Sequence, residues 1–420
     1  MNIVIWDIET DSSNTFFGTI IEIGGILLND NFQELDKLNI RCRLPEGVVP
    51  QAGALLVNQS SISMLTQANY SHYQMLQEVE AVFKKWSPAI FLGYSNINFD
   101  DEMLRKEFFK GLRYPYLTNT NGNKRQDGLN IVRAAFAVNN KIFKTELNEK
   151  GNALMKLESL ARMNGINTKG AHNALFDANL TKLILEKIYK EQNVTWKSSM
   201  LTGSREEVER FAKDEIMFTL NEYFYGKSKL YLVAPLHTEH MLHPVYKWVQ
   251  SFDLRFDPEL YFKMPLTELK IEMQKTPKFL RTIRSNKAPV LLHSNYGSKA
   301  EPYNTLSKEK LLKRAKLIKN NKEFCNKVSL ALREIAEEKK DTSDQSDITP
   351  EESIYSKFVD SKENIKMEKW HNATWEEKVI LLDKFEDSRL IDFGKKIIYQ
   401  EAPQVLPKSI YNEVKRGIAK

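Results

Sequence analysis

The segment NIVIWDIET at residues 2–10 constrains this chain more than any other, because it sets two carboxylates into a run of large apolar side chains. Ile3, Val4, Ile5 and Trp6 need a core, and the pattern predicts a strand over Asn2–Ile8. Successive side chains of a strand point to opposite faces, so Asp7 and Glu9 project together while Ile8 points into the core. Two carboxylates held side by side in apolar surroundings repel each other and resist ionisation unless positive charge is supplied. A second apolar run over Thr19–Asn29 follows a polar turn at Ser12–Asn14 and predicts a second strand.

Two further motifs add acidic residues at the ends of predicted elements. Asp100 lies in YSNINFDDE, after a strand-like run over Phe91–Asn96 and before a helix over Asp101–Lys110. Either Asp100 or Asp101 suits an N-cap, and the sequence does not choose between them. His172 and Asp177 lie in AHNALFDAN, with Asp177 near the start of a helix over Phe176–Lys190, where the helix dipole favours an anion. An imidazole titrating near neutrality suits a general base. Carboxylates drawn from distant segments to one place are best compensated by divalent cations. Hard oxygen ligands suit magnesium or manganese, and two such ions can clamp a phosphodiester during in-line attack. The pattern predicts a metal-dependent nuclease.

The 420 residues suggest two or three domains, and a 42% hydrophobic content supports real cores. A mean hydropathy of -0.46 predicts a soluble protein. Cys42 and Cys325 stand far apart with no CxxC neighbour, which argues against a zinc ribbon or a disulfide framework and for the cytoplasm. The sequence gives no sign of a secretory signal or a membrane span. The formal charge of +6 is unevenly spread: fifteen Lys and Arg fall between Lys263 and Lys322, against four Glu. That excess predicts a phosphate-tracking surface.

Helices are expected at about Tyr73–Trp86, Gly128–Ala137 and Met155–Met163, so strands and interleaved helices point to an α/β mixed sheet flanked by helices. After Gln192 the texture changes to short strands at Lys229–Val233, Val245–Asp253 and Val290–Leu292, followed by basic helices. Asp341–Ser353 reads as a polar linker, and the remainder to Lys420 as helical. His237, His240 and His243 form HTEHMLH, but nothing nearby completes a metal site, and Pro235 and Pro244 indicate an irregular loop.

The order DxE, NFDDE, HxxxxD resembles the DEDDh exonuclease superfamily. PQAGALLVNQ at 50–59, GYSNINFDDEMLRKEFF at 93–109, KLESLARMNGI at 156–166, AHNALFDAN at 171–179, RSNKAPVLLHSN at 284–295 and IYSKFVDSKENIKM at 354–367 narrow the resemblance to bacterial exonuclease I. The resemblance implies a ribonuclease H-like exonuclease domain (1–192), an SH3-like middle domain (195–345) and a helical C-terminal domain (348–420), the last shorter than is usual for the family. It implies 3′→5′ degradation of single-stranded DNA to 5′-mononucleotides in DNA repair or recombination, by a monomer.

Matched by motif, Asp7, Glu9, Asp100 and Asp177 would hold two Mg2+ ions, with Mn2+ as an alternative, and His172 would act as general base. Glu9, Val57, Arg105, Tyr116, Arg133 and Lys156 match positions that contact the strand. Lys156 stands where the family has an arginine, keeping the charge but losing the bidentate fork. The resemblance also implies the acidic tail of single-strand DNA-binding protein as a partner, although Asn139 replaces one arginine of the pocket concerned. The catalytic motifs alone fit an RNA exonuclease as well. A silent strand-binding protein is disfavoured, because such a protein has no use for clustered carboxylates facing phosphate.

Overall fold

A computed structural model describes residues 1–340 and 348–418 of the chain, which divides into two compact units. The first unit gathers residues 1–124, 168–182 and 346–420; the second gathers 125–167 and 183–345.

In the first unit, β1 (Asn2–Thr10) pairs antiparallel with β2 (Ile20–Leu28), which pairs antiparallel with β3 (Glu34–Arg41). On its other side β1 runs parallel to β4 (Ala89–Gly93), giving the order β3–β2–β1–β4. Every residue of β2 and β4 is buried, as expected of strands covered on both faces. Helix α1 (His72–Trp86) opens on a Ser71–Gln74 capping box and lays Leu76, Val79 and Phe83 on the sheet. There Phe83 meets Trp6 edge-on, with ring centroids 5.7 Å apart. Helix α2 (Asp100–Lys110) follows β4 through a 3-10 turn at Asn96–Asn98. Helix α3 (Ala174–Glu191) starts in this unit and continues into the second.

The C-terminal helices Ser361–His371, Trp375–Leu382, Ser388–Glu401 and Lys408–Ile418 also belong to the first unit. Their Trp370, Leu390 and Phe393 share a core with Tyr73, Phe109 and Leu112, so the last segment of the chain packs against α1 and α2. Of the expected linker Asp341–Ser353, residues 341–347 lie outside the described residues, and Glu352–Tyr355 form a 3-10 turn.

Strand β5 (Lys124–Asp127) leads into the second unit, where β6 (Phe218–Phe224), β7 (Lys227–Pro235), β8 (Val249–Asp253), β9 (Leu280–Ile283) and β10 (Leu291–His293) form a sheet of order β10–β6–β7–β8–β9. Adjacent strands of this sheet are antiparallel. Helices Lys308–Asn320 and Lys322–Lys340 cover it with Leu311, Ile318 and Val328. Several basic side chains of the Lys263–Lys322 stretch work inside this unit. Arg314 donates to the carbonyls of Leu254 and Arg255, Lys319 to those of Lys213 and Glu215, and Lys270 pairs with Glu334 and Glu338. The charge open to a phosphate backbone is therefore smaller than the sequence sum.

Candidate active site and metal centre

The β1–β2 register sets the site. It places Gly24 opposite Asp7 and Glu22 opposite Glu9. Gly24 has no side chain, and the start of α3 lies directly on it. A Cβ at that position would fall 2.1 Å from the Leu175 nitrogen and 2.4 Å from the Ala174 carbonyl carbon. This close approach delivers Asp177, in the first turn of α3, to the carboxylates of β1. One ligand oxygen from each of Asp7, Glu9 and Asp177 lies within 4.8 Å of the others, and all three residues are partly buried.

Asp100, the first residue of α2, is buried and lies outside that tight trio, yet its charge acts on both Asp7 and Glu9. Its neighbour Asp101 does separate work, accepting from Thr118 Oγ1 at 3.2 Å and from Asn96 Nδ2 at 3.4 Å. Neither aspartate is the N-cap that the sequence suggested for one of them: the residue capping α2 is Phe99, and both lie in the first turn.

His172 sits in the loop before α3 with φ of +70°, a left-handed conformation uncommon for a residue with a side chain. Its backbone N–H donates to the Asp177 carboxylate at 3.2 Å. Asn173 carries three further bonds. Its carbonyl accepts from Asp177 N at 2.9 Å, its Oδ1 accepts from Phe176 N at 3.2 Å, and its Nδ2 donates to Glu22 at 2.6 Å. Glu22 also ion-pairs Arg41. The chain Arg41–Glu22–Asn173 therefore braces the His172 loop against β2. Sequence reading missed these three residues. The available signal was Glu22 itself, a carboxylate inside the apolar run IIEIGGILL, the same anomaly that singled out Asp7.

Burial, followed by the charges of Asp100, Asp177, Glu9 and Glu22, holds the Asp7 carboxyl well above the usual carboxylate range. Burial and then Asp177 push Glu9 up to about 8. Arg41 opposes this shift in Glu9 and is itself committed to Glu22. Clustered oxygen ligands with unbalanced negative charge are the donor set a hard divalent cation prefers, so the residues present fit such an ion.

The matched strand-contact positions fall in both units. In the first, the Arg105 guanidinium pairs with Glu102 at 3.0 Å, donates to Tyr355 at 3.1 Å and lies 5.0 Å from the Tyr116 ring centroid. Val57 ends the helix Ala52–Val57 with its side chain exposed. In the second, Arg133 lies 3.7 Å over the Tyr223 ring, and exposed Lys156 caps the helix Leu157–Met163 through its backbone. Asn139 ends the helix Gly128–Val138 and accepts from Lys141 N at 3.0 Å. His237 and His243 use their Nδ1 atoms to accept backbone N–H bonds in their own turns.

The sheet order and the gathered carboxylates are those expected from the resemblance to the DEDDh exonucleases. Within that class the chain resembles bacterial exonuclease I. It is 27% identical over 194 residues to exodeoxyribonuclease I of Buchnera aphidicola from Schizaphis graminum, a match covering 46% of this chain and 40% of the relative. It is 25% identical over 186 residues to exodeoxyribonuclease I of Escherichia coli K12, covering 44% of this chain and 39% of the relative. The matched stretch thus spans less than half the length of these curated relatives.

Among solved structures, exonuclease I of Methylocaldum szegediense superposes with a TM-score of 0.78 at 20% identity, covering 99% of this chain and 89% of the other. E. coli exonuclease I in complex with a dT13 oligonucleotide gives 0.79 at 18% identity, covering 99% and 90%. The likeness in fold therefore runs the whole length of the chain, including the β-rich middle and helical C-terminal regions. No family model matches the chain.

Proposed function

We propose that this protein is a 3′→5′ exonuclease that hydrolyses single-stranded DNA to 5′-mononucleotides, with Asp7, Glu9, Asp100 and Asp177 holding two divalent ions and His172 as general base. What supports this reading most is the meeting of Asp177 with Asp7 and Glu9 within 4.8 Å, although Asp177 comes from a segment far from β1 in sequence. Magnesium is the physiological ion in this reading, and manganese substitutes for it. When bound, the ions supply Lewis acidity at the phosphoryl oxygens and at the attacking and leaving oxygens.

The chain's own residues perform the remaining tasks. An imidazole nitrogen of His172 takes the proton of the attacking water, and the left-handed turn at His172 and the Asn173 bonds fix the loop that presents it. Glu9 also meets the terminal nucleotide, and Val57, Arg105 and Tyr116 of the first unit, and Arg133 and Lys156 of the second, each contact the strand. Basic and aromatic contacts of this kind accept any sequence. The protein works as a monomer in the cytoplasm, in DNA repair or recombination. Among the described residues no helix is long and apolar enough to cross a membrane. A structural neighbour is the exonuclease I complex with the C-terminal segment of single-strand DNA-binding protein, which supports that acidic tail as a partner here.

The test is end-labelled single-stranded DNA, duplex DNA and RNA, each with magnesium or EDTA, resolved by length over time. The expected result is stepwise shortening of single-stranded DNA from its 3′ end in magnesium alone. Faster shortening of RNA would make the protein an RNA exonuclease, and tight binding without cleavage would make it a strand-binding protein. Asp7→Ala and Asp177→Ala should each abolish hydrolysis while strand affinity stays within a few-fold. His172→Ala should slow the chemical step severely without unfolding the chain.

A further inference from the structure

The β6–β7 hairpin of the second unit carries aromatic surface that the fold does not use. Phe224 ends β6 and Lys227 begins β7, so Tyr225 and Gly226 form a two-residue loop. Their φ angles are +49° and +80°, as in a type I′ turn. That turn favours Asn-Gly, because a bulky residue in the left-handed region is strained. Here a tyrosine occupies it and is 86% exposed. Strain carried by an exposed aromatic ring contributes nothing to folding and points to a use outside the core.

Phe224 is 52% exposed, and its ring centroid lies 4.2 Å from that of Tyr225. The register pairs Phe224 with Lys227 and Glu222 with Lys229, so these side chains share one face of the ribbon. Both lysines are exposed, and neither makes an ion pair among the described residues. The Glu222 charge is answered by Arg281 at 3.0 Å. The ribbon is braced elsewhere. Tyr223 lies under the Arg133 guanidinium, and Asn152 Nδ2 donates to the Tyr225 carbonyl at 3.4 Å. The result is a fixed tip bearing two flat rings beside two cations.

We propose that Phe224 and Tyr225 form a base-stacking platform for single-stranded nucleic acid, with Lys227 and Lys229 taking the adjacent phosphates. The proposal rests on the reading of the protein as a single-strand nuclease and names a contact within it. An apolar protein partner fits the rings but not the lysines beside them. A single strand fits both, since every base has a flat face and every linkage a negative charge.

The test uses the full chain in EDTA, so that no hydrolysis intervenes. Fluorescence anisotropy compares wild type, Phe224→Ala and Tyr225→Gly on labelled oligo-dT and on an abasic strand of equal length. Glycine suits the φ of +49° at residue 225, so Tyr225→Gly removes the ring while relaxing the turn. Each variant should bind oligo-dT roughly ten-fold more weakly and the abasic strand as wild type does. Unchanged oligo-dT affinity in both variants overturns the platform, and so does an equal loss on both strands. If wild type shortens single-stranded DNA in magnesium while the variants bind like it, only the platform fails. If wild type neither binds nor shortens the strand, the nuclease reading fails too.

Discussion

Glu22 faces Glu9 across the β1–β2 ladder, with Arg41 and Asn173 both bonded to its carboxylate. Burial raises its pKa, while Arg41 and Asn173 work to keep it ionised. Its contacts make it a positioning residue: it touches the His172 loop through Asn173 and lies outside the trio Asp7, Glu9 and Asp177. Glu22→Gln keeps the shape but turns an amide toward Arg41 or Asn173, so one of the two bonds is lost. Partners of this outer kind typically cost ten- to hundred-fold when removed. Glu22→Gln and Asn173→Ala should therefore each lower kcat on single-stranded DNA by roughly ten-fold or more, with KM nearly unchanged. A rise in KM at constant kcat would instead assign Glu22 to strand binding.

At the scale of elements, the site depends on how closely α3 approaches β2 at Gly24. Gly24→Ala places a methyl group against the Ala174–Leu175 backbone, which cannot give way without moving the helix. Overpacking of this kind costs about 1–3 kcal/mol, and here it also displaces Asp177. Urea unfolding should show that loss, together with weaker manganese binding. Gly53→Ala, where a Cβ meets nothing within 4 Å, should change neither. The strand pair β1–β2 and helices α1, α2 and α3 could be read from the sequence because their apolar spacing is strong. Strand β3 escaped notice because ELDKLNIR buries only Leu38 and Ile40, leaving an edge strand that reads as polar. That Asp7, Glu9 and Asp177 belong together could be read from composition and order, since carboxylates set into apolar segments are anomalous wherever they occur. What places Asp100 rather than Asp101 beside Asp7 is the backbone between β4 and α2, which no property of two adjacent identical residues reveals. The basic stretch misled for a related reason: a lysine bonded to buried carbonyls and one facing solvent look alike in sequence.

At the scale of the whole molecule, the first unit closes on itself through its C-terminal helices. His371 from the first of these meets the Tyr73 hydroxyl at 3.0 Å through Nδ1 and the Leu112 carbonyl at 2.9 Å through Nε2. Burial, and then Arg113, push this imidazole down from 6.5 to about 3. Folding thus requires it neutral, whereas the unfolded chain binds a proton below 6.5, so this contribution to stability holds above pH 6.5 and is lost on acidification toward pH 3. His371→Gln removes the titration. The stability advantage of wild type over this variant, measured by urea unfolding in EDTA, should shrink by up to about 1.4 kcal/mol per pH unit below 6.5. A constant advantage between pH 8 and pH 5 would show that the ring is not kept neutral.

The most direct measurement is calorimetric titration of the full chain with Mn2+, comparing wild type with Asp7→Asn and Asp177→Asn, each of which keeps shape and removes one ligand charge. The account predicts two ions per wild-type chain and loss of at least one site in each variant. Equal stoichiometry and affinity in all three proteins would contradict it.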